Sequence, residues 1–159
     1  MISQGATSMW EFWDGRGSHN HMFVGGKMNA FLIKNLAGIS SLKPGYSEVL
    51  IKPGVVGDLT NVKASIYSPK GRIETEWIKT TNYRISVKTL VPANSTALVY
   101  IPLLGNKASD VVITEGNTAV FKKGVKKDSE NIKFIFEKDG YLAFKIASGS
   151  YEFHLIKSY

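Results

Sequence analysis

The sequence contains no cysteine, which removes disulfide-stapled scaffolds from consideration and leaves a fold that forms equally well in a cytoplasm or a periplasm. It contains no long hydrophobic run. Thr96–Leu104 is among the longest apolar stretches, far short of the roughly 20 residues that span a bilayer, so no transmembrane helix is expected. The opening residues, Met1 to Ser8, lack a cationic stretch followed by an apolar one, so no secretory signal is readable in this sequence. No internal repeat and no low-complexity segment is visible. What remains is 159 residues, 43% hydrophobic and 21% charged, the profile of a globular protein. At that length folding buries about 70% of the unfolded chain's surface, enough for a core that needs neither a metal nor a disulfide.

Acidic residues are also in short supply: 13 against 20 lysines and arginines, a net charge of +7. The excess is spread along the chain, +2 over residues 1–44 and +5 over 45–159. Lys122, Lys123, Lys126 and Lys127 make the one dense cluster, followed at once by Asp128 and Glu130. A binder of single-stranded nucleic acid would interleave aromatic rings with its basic residues. Only Phe121 lies close, and alternation buries it, so the cluster reads as a solvated loop and no nucleic-acid partner is expected.

The hydrophobic period changes near residue 40. Before it, Val24, Met28, Phe31, Leu32 and Leu36 form a helical stripe within His21–Leu36, with Ser18 or Asn20 as N-cap and Gly38 beyond the end. Phe23, Ala30 and Ile33 widen that stripe, so the helix wants more than one neighbour. After residue 40 the period is two, punctuated by Gly, Pro, Asn and Asp. Strands are expected at 48–52, 62–68, 72–79, 83–91, 96–101, 111–114, 119–122, 132–137, 141–146 and 151–157. Pro69-Lys70-Gly71 and Asp139-Gly140 mark hairpins. Short, evenly spaced strands with no helix between them predict a mainly β protein, an antiparallel, jelly-roll-like β-sandwich preceded by one α-helix.

Residues with chemical potential concentrate in Gly5-Ala-Thr-Ser-Met-Trp-Glu-Phe-Trp-Asp14-Gly-Arg-Gly-Ser-His-Asn-His21. The stretch is too glycine-rich and polar to be a packed element, and such loops carry function. Aromatic planes beside carboxylates suit a sugar, whose C–H faces stack on rings while its hydroxyls need charged partners. The alternative is that these aromatics only close the end of a helical layer.

The order of motifs is more specific. GATSMWEFWDG is followed by Ser18-His-Asn-His21, a helix ending in Leu36-Ala-Gly-Ile39, and Pro44-Gly-Tyr46. Leu50-Ile-Lys-Pro53, Ser68-Pro-Lys-Gly-Arg-Ile-Glu-Thr-Glu-Trp77 and Val91-Pro-Ala-Asn94 then follow. Over residues 5–105 this resembles the C-terminal part of the bacterial α-L-rhamnosidases, inverting glycoside hydrolases with an (α/α)6 barrel followed by a β-sandwich. The resemblance implies that residues 1–40 end the catalytic barrel and 41–159 form the sandwich. It places Glu11 on the family's general base and His21 on the histidine that contacts rhamnose, with Trp10 and Trp13 as walls of the sugar pocket. Asp14 fits an Asp-Gly turn rather than catalysis. No cofactor is implied, and the expected partners are a rhamnose-containing glycoside and the rest of the barrel.

Several positions depart from the family pattern: Ser8 replaces threonine, Phe12 follows the base where arginine is common, His19 stands where an aromatic is usual, and the loop from Asp14 to Ser18 is short. Glu11, His19 and His21 could hold zinc in another context, but the resemblance explains them without a metal. The family's general acid lies in earlier barrel helices, so this chain reads as a C-terminal fragment, inert alone and prone to self-association through its helix. The rival reading is a non-catalytic carbohydrate-binding or structural sandwich module, which has no reason to keep Glu11 and His21. The sequence does not specify the compartment. His154 is expected at a surface or sheet edge.

Overall fold

Wherever the sequence alternates in period two, the backbone is extended. The computed structural model describes residues 1–158, of which 22–25 are described by their backbone alone, so the expected stripe members Phe23 and Val24 lie outside the described side chains. The chain divides into two units, Met1–Leu32 and Ile33–Tyr159.

The second unit is a β-sandwich. Its strands among the described residues are β1 (Ile39–Ser41), β2 (Glu48–Ile51), β3 (Asn61–Ser68), β4 (Gly71–Thr81), β5 (Arg84–Val91) and β6 (Thr96–Pro102). The rest are β7 (Val111–Glu115), β8 (Thr118–Lys122), β9 (Val125–Lys126), β10 (Ile132–Lys138), β11 (Tyr141–Ile146) and β12 (Gly149–Lys157). One sheet has the order β1-β2-β6-β11-β10 and the other β3-β4-β5-β12-β7-β8-β9. Their inner faces share one core. Val49, Ile51, Val99, Ile101, Leu142 and Phe144 come from the first sheet, and Ile73, Trp77, Ile85, Val87, Ile113 and Phe153 from the second. Phe144 and Phe153 stack across the divide at 5.8 Å between ring centroids.

Local chemistry explains the joints. Asp139 and Gly140 both take positive φ, 52° and 79°, the requirement of the two-residue turn that joins β10 to β11. The outward positions of β3, β4, β5 and β12 bring Lys63, Glu76, Lys88 and Glu152 into register across four strands. Opposite charges therefore alternate along that row, with Lys63 Nζ 3.3 Å from Glu76 and Lys88 Nζ 3.4 Å from Glu152.

The antiparallel sandwich is present as expected, with one parallel pair: β2 runs parallel to β6, because the chain crosses to the other sheet for β3–β5 before returning. The short strands β1 and β9 were not expected. Tyr83 stands outside β5 and is exposed, with Lys157 Nζ 5.0 Å from its ring. His154 is at the surface of β12, as expected, with its Nε2 3.3 Å from Glu152.

The helix also differs. In the first unit α1 runs Met22–Phe31, its N-cap is His21, and no side chain caps it. Ser18 does not serve because its hydroxyl accepts the Asn20 N–H at 3.2 Å. From Leu32 to Ala37 the backbone is π-helical. Of the expected stripe, Met28, Phe31 and Leu32 in the first unit are 55%, 54% and 42% exposed; in the second unit Ile33 packs on the sandwich core and Ala37 is buried. Within the second unit the π segment is tied down at one carbonyl. Leu36 C=O accepts the buried Trp77 indole N–H at 2.9 Å and the Gly54 N–H at 3.1 Å. Gly38 (φ 89°) ends the segment with its N–H on Ile33 C=O at 2.9 Å. A Cβ on Gly38 would strike the Lys52 carbonyl, and one on Gly54 the Asn35 carbonyl, so both glycines are required by close backbone approach.

Candidate active site

The loop before α1 is closed by two backbone rungs: Glu11 N–H donates to Ser18 C=O at 2.8 Å, and His21 N–H donates to Met9 C=O at 2.7 Å. Between them the chain reverses through Asp14-Gly-Arg-Gly17. Asp14 accepts from the Arg16 backbone N–H at 3.1 Å and from its Nε at 2.8 Å, so this carboxylate fixes the turn. The Arg16 guanidinium lies 5.7 Å from the centre of the Phe12 ring.

Glycine is needed at the crossing. Gly17 takes φ 76°, and a Cβ there would come within 2.6 Å of Glu11 Oε2 and 3.1 Å of the Phe12 ring. A Cβ on Gly15 (φ 84°) would lie 3.2 Å from the Trp10 ring. The carboxylate of Glu11 therefore lies directly over glycine backbone. Its Oε2 accepts the Ser18 N–H at 3.0 Å. Among the described residues no cation forms an ion pair with Glu11, whose side chain is exposed.

Trp10 is half-buried because His19 stacks on it, 4.3 Å between centroids and 13° from parallel. His19 Nε2 is 2.7 Å from Gly15 C=O, and the Ser8 hydroxyl donates to His19 C=O. The loop thus brings Trp10, Glu11, Ser18 and His19 together. Trp13 is not part of this cluster and is 81% exposed. His21 is half-buried at the loop's exit, its N–H on Met9. Among the described residues no group of three His, Cys, Asp or Glu side chains could hold a metal ion. The expectation missed His19 as a support of Trp10, although the Gly-Arg-Gly run that brings the strands of the loop together was its visible signal.

Residues 38–115 match the bacterial alpha-L-rhamnosidase C-terminal domain. An α-L-rhamnosidase of Streptomyces avermitilis is 29% identical over 96% of this chain. Residues 38–115 are C-terminal domain sequence of the bacterial α-L-rhamnosidase family. In three dimensions it superposes on the α-L-rhamnosidase from Dictyoglumus thermophilum with a TM-score of 0.79 at 31% identity, over 99% of this chain. The Streptomyces avermitilis α-L-rhamnosidase complexed with L-rhamnose gives 0.74 at 28% identity over 96%. Likeness to these α-L-rhamnosidases extends past residue 105, where the sequence motifs gave out. The chain spans only 14% and 17% of the Streptomyces and Dictyoglumus proteins.

Proposed function

We propose that this chain carries the general base of an α-L-rhamnosidase that hydrolyses terminal α-L-rhamnosides with inversion. Glu11 takes a proton from water while the water oxygen bonds to the anomeric carbon. The glycosidic C–O bond breaks on the opposite face, and a carboxylic acid from sequence outside these 159 residues protonates the departing oxygen. One observation carries the reading: within a motif run shared with this family, the Glu11 carboxylate is oriented by the Ser18 N–H and is unmatched by any cation among the described residues. A carboxylate in that state is fixed in direction, as a base that must orient a water molecule has to be.

In the same proposal His21, Trp10 and Trp13 bind the rhamnose, residues 1–40 end the catalytic barrel, and 41–159 are the sandwich behind it. The exposed Met28, Phe31 and Leu32 belong to the surface that the rest of the barrel covers. By itself the chain has no turnover on an aryl rhamnoside and self-associates through these residues. Light scattering of the isolated chain and an activity assay read both.

In the intact enzyme Glu11→Gln lowers kcat by roughly 10²–10⁴-fold, as loss of a positioned base does. Proton NMR of the first-formed sugar reads the stereochemistry. Near-normal kcat in the variant refutes the base, and a first product of retained configuration refutes inversion.

A further inference from the structure

The second unit contains a cleft of about 290 Å³ lined by Lys34 and Asn35 of the π segment, Ser40 of β1, Leu50 and Lys52 at the end of β2, and Tyr141 of β11, with Pro53 and Gly54 at its base. Each wall is held in place. The π segment is fixed through the Leu36 carbonyl, which receives both Trp77 and Gly54. Lys52 N–H donates to Gly38 C=O at 3.0 Å, and Tyr141 O–H donates to Pro53 C=O at 3.0 Å. Single π-helical turns inside helices cost hydrogen-bond geometry and are found disproportionately at functional sites.

The chemistry of the lining is one-sided. It has two ammonium groups, a hydroxyl, an amide and apolar flanks, and no carboxylate. Lys52 Nζ lies 5.0 Å and 5.2 Å from the Tyr141 and Tyr100 ring centres. Ring quadrupoles stabilise a cation but do not neutralise it, so the charge is still available to an anion. Glu48, the acid on β2, is committed elsewhere, bridging Lys43 and Lys145. Sites for neutral sugars supply acidic acceptors for hydroxyl groups, and this one has none. Its occupant must bring the negative charge itself, and the volume, at the lower end of ligand clefts, suits one sugar ring.

We propose that this cleft is a second glycan-binding site that takes a hexuronate unit, its carboxylate neutralised by Lys34 and Lys52. The choice of a sugar as the body of the ligand rests on the rhamnosidase reading; the demand for an anion does not.

The test is a proton–nitrogen NMR titration of the whole 159-residue chain with D-galacturonate, with L-rhamnose and acetate as comparison probes. Galacturonate is expected to give saturable shifts at residues 34–40, 50–54 and 141, with L-rhamnose giving none there. Lys34→Gln and Lys52→Gln should each weaken binding about tenfold, the loss of one charge-assisted hydrogen bond. Lys34 is exposed, so its variant keeps the fold, read from unchanged amides elsewhere. Absence of saturable shifts overturns the proposal, as does binding no tighter than acetate's, or affinity retained in the Lys34→Gln variant. Shifts induced by L-rhamnose around Trp10–His21 report on the active-site reading instead, so the two can fail separately.

Discussion

Replacing Gly54 by alanine tests whether the π segment is locked or merely adjacent. The new Cβ would meet the Asn35 carbonyl oxygen well inside van der Waals contact, and the obstacle is backbone rather than a flexible side-chain tip. Gly54 is not among the glycines of positive φ, so the substitution carries no conformational penalty of its own and reports on space alone. Relief requires the π turn and the Lys52–Gly54 stretch to separate. Overpacking of this kind costs about 1–3 kcal/mol. Separation also lengthens the Gly54 N–H bond to Leu36, at present 3.1 Å, worth about 1 kcal/mol. The Trp77 indole shares that acceptor in a fully buried place, so the disturbance reaches the core. The sum is about 3 kcal/mol, or a fall in Tm of roughly 10 °C for a domain of this size. Urea unfolding followed by tryptophan fluorescence measures it, with Tm from calorimetry alongside. A midpoint within about 0.5 kcal/mol of the parent chain would refute the lock, because the π segment would then be drifting freely from the sandwich.

Two further perturbations follow from polar groups in the sandwich. The Thr75 hydroxyl is buried on the inner face of β4 with no hydrogen-bond partner among the described residues, so Thr75→Val should raise stability by about 1 kcal/mol; a loss of stability in chemical denaturation would show that the hydroxyl is satisfied. Glu48 is held below the ordinary carboxylate range first by its hydrogen bond to Lys43 and then by Lys145, against the opposing effect of partial burial. A depressed folded-state value adds stability above the unfolded-state value, near 4.3, and loses it as pH falls through the lower folded one. The stability gap between the parent and Glu48→Gln should therefore be open at neutral pH and close below about pH 4. A gap that does not change with pH would exclude the ion pairs as its source.

What the sequence reveals is what local pattern dictates. Alternation in Arg72–Lys79 places Ile73 and Trp77 inward and Glu74 and Glu76 outward, and Asp139-Gly140 turns where its φ preferences require. The loop around Glu11 was legible from composition, because glycines flanking charges and rings have no other home. The π segment was not legible. Its residues repeat as an α-helix would, and the donors that hold it, Trp77 and Gly54 on the Leu36 carbonyl, are distant in sequence. Sheet order was equally hidden, since the parallel neighbour of β2 lies about 50 residues away and no turn residue announces it. The support of Trp10 by His19 depends on a ring that reads as a titratable group in one dimension and acts as a flat surface in three.

The position of β12 has a consequence for the order of folding. It pairs with β5 on one side and β7 on the other, so it divides the larger sheet into β3–β5 and β7–β9 until residues 149–157 arrive. On a ribosome adding about 5–20 residues per second, the β3–β5 meander must wait several seconds with an open edge before its neighbour is made. Its other edge, β3, has Lys63 pointing outward, a charge that discourages pairing with a stray strand. Closure of the core is then a late, non-local event. A chaperone that shields the β5 edge during synthesis would act on a different strand from any that protects the finished sandwich.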